Sequence, residues 1–212
     1  MNAPADKPDL SRLTALSDAL AAVVEQVGRA TVAIRGRRGA SASGAVWRPG
    51  IVVTAEHVFR RAPTTLSVVL PDASSAEATL AGIDASTDIA VFRLAGTSPA
   101  SIESVDASGV RAGHLAIAVG RSQHAELTSS FGMVNRSAGA WQTWLGGRVD
   151  QLIRLDGGIH DGLSGAPVAN AAGQVFGMAT AALSRSYGIV VPTSTINSVV
   201  DVLLSKGHVA RA

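Results

Sequence analysis

The sequence predicts an all-β chain, two packed antiparallel β-barrels with a helix at each end, and three observations carry that prediction. Beyond Gly28, short β-type runs recur every 8–15 residues or so, separated by Gly, Ser, Asp and Pro. No helical pattern alternates with them, as a parallel βαβ sheet would require. A stretch of weak periodicity, Gly96–Gly113, divides the runs into two halves of similar length. A cleft between two such halves is a favoured place for a site.

The elements follow in order. Residues 1–8 are polar, contain two prolines and read as a mobile tail. Leu13, Leu16, Leu20, Val23 or Val24, and Val27 recur at helical spacing, with Asp9 or Ser11 able to cap the start and Gly28 the end. The apolar stripe of this helix is either a core face or a contact with another copy of the chain. The β runs are Thr31–Ile34, Ala45–Trp47, Ile51–Thr54, Leu66–Leu70, Ala78–Ile83 and Ile89–Leu94, then Leu115–Val119, Gln151–Leu155, Val175–Ala179 and Gly188–Val191. Thr193–Leu204 reads as a closing helix with Ile196, Val199, Val200, Leu203 and Leu204 inward and Gly207 as its stop. The expected division is residues 1–29 for the leading segment, 30–105 for the first barrel and 106–212 for the second barrel with its helix.

Composition narrows the function. Of 212 residues, 47% are apolar and only 16% charged, which excludes bulk disorder. There is no cysteine, so a disulfide framework and a thiolate metal site are excluded. The isoelectric point near 9.7 comes with a net charge of only +2. The basic residues are spread out, apart from a short cluster at Arg35, Arg37 and Arg38. With three Trp, one Tyr and four Phe in the chain, a stacking surface for nucleic acid is not expected. His114, His124, His160 and His208 show no metal-ligand spacing, and no cofactor is predicted. The most apolar segment, Leu13–Ile34, is interrupted by Asp18, Glu25 and Arg29, so membrane insertion is not expected. Ala19–Val24 is too short for the apolar part of a secretory leader. The expected location is the cytoplasm, or the periplasm if a leader has been removed.

Three segments carry candidate chemistry, and each has a plain alternative when read alone. In Ile51–Val58 a β run is followed at once by His57, which could equally be structural or simply exposed. In Asp84–Val91, Asp88 heads an apolar strand, where an acid commonly serves as a turn residue. In Asp161–Pro167, Ser164 sits between Gly162 and Gly165 with Leu163 before it. Such a turn either exposes a hydroxyl beside converging backbone N–H groups or is an ordinary loop.

Taken together, the order His, Asp, Ser along a two-halved β chain resembles the trypsin-fold serine proteases. The resemblance is greatest to the protease domain of the bacterial HtrA group. Ser43–Trp47 resembles the motif that precedes the histidine strand, Thr54–Val58 the histidine motif and Thr87–Val91 the aspartate motif. Asp156–Pro167 resembles the serine loop, and Gly177–Ala181 and Gly188–Pro192 match in order and spacing. Residues 30–200 are covered. The chain departs from the Gly-Asn-Ser-Gly-Gly-Pro pattern at Leu163 and Ala166, and no PDZ-like module is expected after the closing helix.

The resemblance implies a chymotrypsin-like double barrel that acts as a serine endopeptidase on peptides or unfolded proteins. His57, Asp88 and Ser164 would be catalytic, and the N–H groups of Gly162 and Ser164 would form the oxyanion hole. Gly158 and Ile159 would line the pocket for the residue before the scissile bond (P1) and favour small or medium aliphatic side chains. Thr180 would belong to a strand that pairs with substrate. Leu163 stands where trypsin-like zymogens carry an acid for a new N-terminus, so activation by N-terminal cleavage is not expected. His160 could influence the pH response or be an exposed loop histidine, and Trp141 and Trp144 lie in a loop near the site. HtrA-type domains are similar in forming trimers through N-terminal segments, which implies a homo-oligomer. The alternative is a latent or inactive trypsin-fold protein that binds peptides or proteins.

Overall fold

The computed structural model describes residues 10–35, 41–59 and 63–207. The proposed tail, Arg37, Arg38 and His208 lie outside the described residues. The chain starts with α1 (Ser11–Gly28). A first closed barrel follows, made of β1 (Thr31–Arg35), β2 (Ser41–Arg48), β3 (Ile51–Ala55), β4 (Thr65–Val69), β5 (Ser75–Asp84) and β6 (Ile89–Leu94), in the order β1-β2-β3-β6-β5-β4. The second barrel contains β7 (Leu115–Arg121), β8 (Leu127–Ala138), β11 (Leu152–Leu155), β12 (Pro167–Ala169), β13 (Val175–Thr180) and β14 (Ile189–Pro192). Its order is β11-β14-β13-β12-β7-β8, with a small hairpin of β9 (Trp141–Gln142) and β10 (Arg148–Val149) between β8 and β11. The chain ends in α2 (Thr193–Lys206). All strand pairs within the barrels are antiparallel, so the predicted fold class is the one observed.

Two buried faces per strand explain the continuous apolar runs. On β3 every residue is buried, because Val52 points into the first barrel while Ile51, Val53 and Ala55 face the core shared by the two barrels. The same alternation holds on β6, with Ala90 and Phe92 inside the barrel and Ile89 and Val91 in the shared core. In the second barrel Phe176 and Ala179 of β13 point inward, and Val175 and Met178 join the shared core. Core side chains on this common layer press the barrels together and hold the cleft fixed.

The helices show one correction. Ser11 is the first residue of α1 rather than its cap, and the N-cap position is Leu10, with no side-chain cap; Asp9 lies outside the described residues. Only the C-terminal half of α1 docks. Val23 and Val27 are buried, whereas Leu13 and Leu16 are 64% and 50% exposed. Arg121 fastens that half. The residue is 5% exposed, and its guanidinium donates to the carbonyls of Gly28 (2.6 Å), Thr31 (2.7 Å) and Ala125 (2.5 Å). At the other end α2 stops at Gly207, whose φ of +73° is the left-handed cap glycine permits, and whose N–H donates to the Leu203 carbonyl.

Candidate active site

Each of the three candidate side chains is placed by the end of a strand. His57 lies in a 3₁₀ turn, Glu56–Val58, directly after β3. Asp88 ends the tight turn between β5 and β6. That turn is built on a second acid, the buried Asp84. Its carboxylate accepts from the Ser86 N–H (3.0 Å), the Ser86 hydroxyl (2.6 Å) and the Thr87 hydroxyl (2.8 Å). Asp88 itself has φ +60°, a left-handed conformation in which Asp is one of the enriched non-glycine residues. Ser164 sits between two glycines with φ +87° (Gly162) and +83° (Gly165). At Gly165 the requirement is also steric, since a Cβ there would lie 2.2 Å from the Ser43 carbonyl oxygen.

The structure brings the three together. Asp88 Oδ2 lies 2.8 Å from His57 Nδ1, and Asp88 Oδ1 accepts from the His57 backbone N–H at 2.8 Å. One carboxylate oxygen therefore holds the imidazole and the other the backbone that carries it. His57 Nε2 lies 3.1 Å from Ser164 Oγ. Asp88 is 2% exposed, and a buried carboxylate is tolerable only when paired and hydrogen-bonded. The Thr180 hydroxyl completes its shell by donating to Oδ2. Thus the Thr180 side chain is buried against Asp88, and only its backbone lies on the β13 strand that was expected to meet substrate.

Electrostatics around His57 pull both ways. Burial alone would lower its pKa. The hydrogen bond and charge of Asp88, with the charge of Glu56, outweigh that and raise it above the ordinary value. Glu56 is raised as well, first by burial and then by the charge of Asp88, with His57 acting against them.

The backbone before Ser164 has a defined shape. The Leu163 N–H donates to the His160 carbonyl at 3.0 Å, closing a turn with Gly162 in third place at positive φ. That is the signature of a type II turn. The Leu163 side chain is 3% exposed and packs in the apolar interior of the second barrel with Ala116, Ala118 and Ala166. The two departures from the motif are therefore matched to each other and to this core. Gly158 is exposed and Ile159 half-buried, its Cδ1 close over Gly188. Both line a cavity of about 220 Å³ together with Ala116, Ala118, Phe131 and Asp156, and the lining includes neither His57 nor Ser164.

Sequence reasoning missed several contributors. The β9–β10 hairpin, from the second barrel, docks on the Asp88 turn of the first. The Thr143 hydroxyl donates to the Ser86 carbonyl (2.7 Å), and a Cβ at Gly147 would lie 2.4 Å from that oxygen. Trp144, at its tip, is 76% exposed and faces a cavity of about 410 Å³ lined by Ala182, Leu183, Ser184 and Arg185. The Asp84-x-Ser86-Thr87 pattern is a legible turn signal. No local signal marks Thr143. Of the other histidines, His160 is exposed in the serine loop and His114 accepts weakly from Arg111 N–H. Among the described residues no cluster of His, Asp and Glu is arranged to hold a metal. No described helix is long and apolar enough to cross a membrane.

Two six-stranded barrels with a Ser–His–Asp line between them define a trypsin-like domain. The family model described as "Trypsin-like peptidase domain" matches residues 42–178, more than half of the chain, and the chain belongs to that family. It is 34% identical over 172 residues to a DegP-like periplasmic serine endoprotease of Brucella suis, covering 76% of this chain and 32% of that protein. It is 32% identical over 171 residues to the serine protease Do-like HtrB of Bacillus subtilis, covering 76% of this chain and 37% of that protein. The chain thus spans about a third of the length of these relatives. Among solved structures, Deg5 shares the fold with a TM-score of 0.77 at 23% identity, over 91% of this chain and 97% of that one.

Proposed function

We propose that this chain is a serine endopeptidase of the HtrA type, with Ser164 as nucleophile, His57 as general base and Asp88 as the group that orients and stabilises the histidine. The observation that carries the reading is the unbroken line from Ser164 Oγ through His57 to Asp88, at 3.1 and 2.8 Å. A serine hydroxyl is a weak nucleophile and needs a base within this reach. Ser164 Oγ attacks the peptide carbonyl as its proton passes to Nε2, and the imidazolium returns that proton to the leaving amine. Asp88 holds Nδ1–H, so Nε2 is the nitrogen free to accept. The N–H groups of Gly162 and Ser164 receive the oxyanion, and the turn at Gly162 supports that assignment. Water then repeats the sequence on the acyl-enzyme.

The reaction requires neutral His57 in the resting site. Because its pKa is raised, the acid limb of kcat/KM is expected to fall at a higher pH than an ordinary imidazole would give. A limb at or below the ordinary histidine range would contradict the Asp88–His57 coupling.

Specificity is assigned to Gly158 and Ile159. Gly158 and Ile159 carry no charge, and the acid in the same lining, Asp156, is exposed and accepts from the Met133 N–H, so a P1 Arg or Lys has no buried partner, which is costly. Cleavage of a peptide library, read by mass spectrometry with Ser164→Ala as control, is expected to give Val, Ala or Leu at P1. A profile dominated by Arg or Lys would sink this assignment. Thr180 enters through the strand: β13 is flanked by β12 and β14 in the closed barrel, so an extended substrate backbone is assigned to the chain that continues past Thr180, at residues 181–182. Leu163 cannot pair with a new N-terminal amine, so full activity is expected without proteolytic processing.

Self-association through α1 is part of the same reading. Leu10 at the N-cap and Leu13 and Leu16 in the first turns of α1 are all at least half exposed, as a contact with another copy would leave them in one chain. Light scattering is expected to show an oligomer, a trimer by analogy, that Leu13→Glu weakens. A wild-type monomer at micromolar concentration would refute it.

A further inference from the structure

Ser43 lies on β2 where the two barrels meet, completely buried, and all its polar groups are used. Its N–H donates to the Ser164 carbonyl (3.0 Å), and its own carbonyl accepts from the Thr54 hydroxyl (2.7 Å). Its hydroxyl donates to the Gly162 carbonyl (2.7 Å) and accepts from the Arg121 N–H (3.0 Å). Space around it is tight, since a Cβ at Gly120 would fall 2.8 Å from Ser43 Oγ.

The hydroxyl bond is one of two that hold a single peptide plane. The Gly162–Leu163 peptide is held at its oxygen by Ser43 and at its N–H by the His160 carbonyl. Glycine on its own rotates between basins at little steric cost, and a Cβ built at Gly162 would meet nothing closer than 3.8 Å. Local sterics therefore do not hold Gly162 at φ +87°; the two hydrogen bonds do. The Ser43 hydroxyl has one proton to give, and the Arg121 N–H occupying its acceptor side directs that proton to Gly162.

We propose that Ser43 is a positioning residue for the oxyanion donors. Its hydroxyl, directed by the Arg121 N–H, fixes the Gly162–Leu163 peptide so that the N–H groups of Gly162 and Ser164 converge beside Ser164 Oγ. This rests on the reading of those N–H groups as the oxyanion hole. Ser43 touches neither substrate nor Ser164 Oγ, and it acts through the backbone. The first barrel thereby sets the geometry of a loop that belongs to the second.

The test compares full-length wild type, Ser43→Ala, Ser43→Cys and Ser164→Ala on one cleaved peptide, with thermal melts and Michaelis parameters. Loss of one oxyanion donor typically lowers kcat by about 10²–10³-fold, so Ser43→Ala is expected to lose on the order of 10²-fold in kcat with KM little changed. Ser43→Cys keeps a weak donor and is expected to fall between wild type and Ser43→Ala. A folded Ser43→Ala with wild-type kcat, or a loss confined to KM, overturns the proposal. If Ser43→Ala does not fold, Ser43→Cys decides: reduced kcat at constant KM supports the role, and wild-type kcat overturns it. A wild type as inert as Ser164→Ala would instead overturn the peptidase reading, and the role of Ser43 with it.

Discussion

Asp88→Asn is expected to lower kcat by about 10⁴-fold while the chain remains folded. An amide retains the size of the carboxylate, and its one oxygen, in the Oδ1 position, can still accept from the His57 backbone N–H, while its NH₂ group then faces Nδ1 and the Thr180 hydroxyl, which must turn to accept. What it loses is the charge. At 2.8 Å from Nδ1, the buried carboxylate selects the tautomer with Nε2 free to take the Ser164 proton, and it stabilises the imidazolium that follows. An asparagine that presents its NH₂ group to Nδ1 selects the opposite tautomer. The same exchange removes the main influence holding the His57 pKa up, so the residual activity should show its acid limb at lower pH. Steady-state kinetics across pH measure both. A fall of tenfold or less would mean that Asp88 only supports the turn.

Arg121→Met is expected to destabilise the fold by about 3–5 kcal/mol, comparable to breaking a buried charged network. Methionine follows the path of the side chain but leaves the carbonyls of Gly28, Thr31 and Ala125 without their donor. The Gly28 carbonyl lies at the C-terminal end of α1, where a helix leaves carbonyls without helical partners and a cation is favoured by the helix dipole. Burial lowers the pKa of Arg121, and three carbonyls rather than an acid offset its desolvation. In a chain of this size each kcal/mol shifts Tm by about 2–4 °C, so a drop of roughly 6–20 °C is expected by calorimetry. A change of less than 2 °C or so would show that α1 docks through Val23 and Val27 alone. The backbone N–H of Arg121 also directs Ser43, so a loosened β7 end should reduce activity in the variant at temperatures where it is still folded.

Much of this architecture was legible because its strands are buried on both faces. Ile51–Thr54, Ile89–Leu94 and Val175–Ala179 read as apolar runs since one side of each strand fills a barrel and the other fills the shared core. β8 was missed for the opposite reason. Its residues Leu127–Ala138 have only Val134 fully buried, and with Phe131 and Met133 exposed among Ser, Gly, Asn and Arg the strand forms no continuous apolar run. β12 is three residues long and begins at a proline, too little for periodicity to register. The candidate site divides in the same way. His57, Asp88 and Ser164 stand in local motifs, each tied to a strand end or turn that short-range sequence describes. Ser43, Thr143 and Thr180 act across the boundary between barrels. Their partners are 119, 57 and 92 residues away in sequence, and only the closed fold brings them together. Leu163 and Ala166 look anomalous against the serine motif but fit the apolar interior into which they point.

The central claim is that Ser164 is a nucleophile activated by His57, and labelling with a fluorophosphonate tests it most directly. Intact mass measurement of the folded wild-type chain should show a single adduct, mapped to Ser164, with Ser164→Ala unmodified and His57→Ala labelled far more slowly. A folded wild-type chain that takes up no more probe than Ser164→Ala would contradict the account.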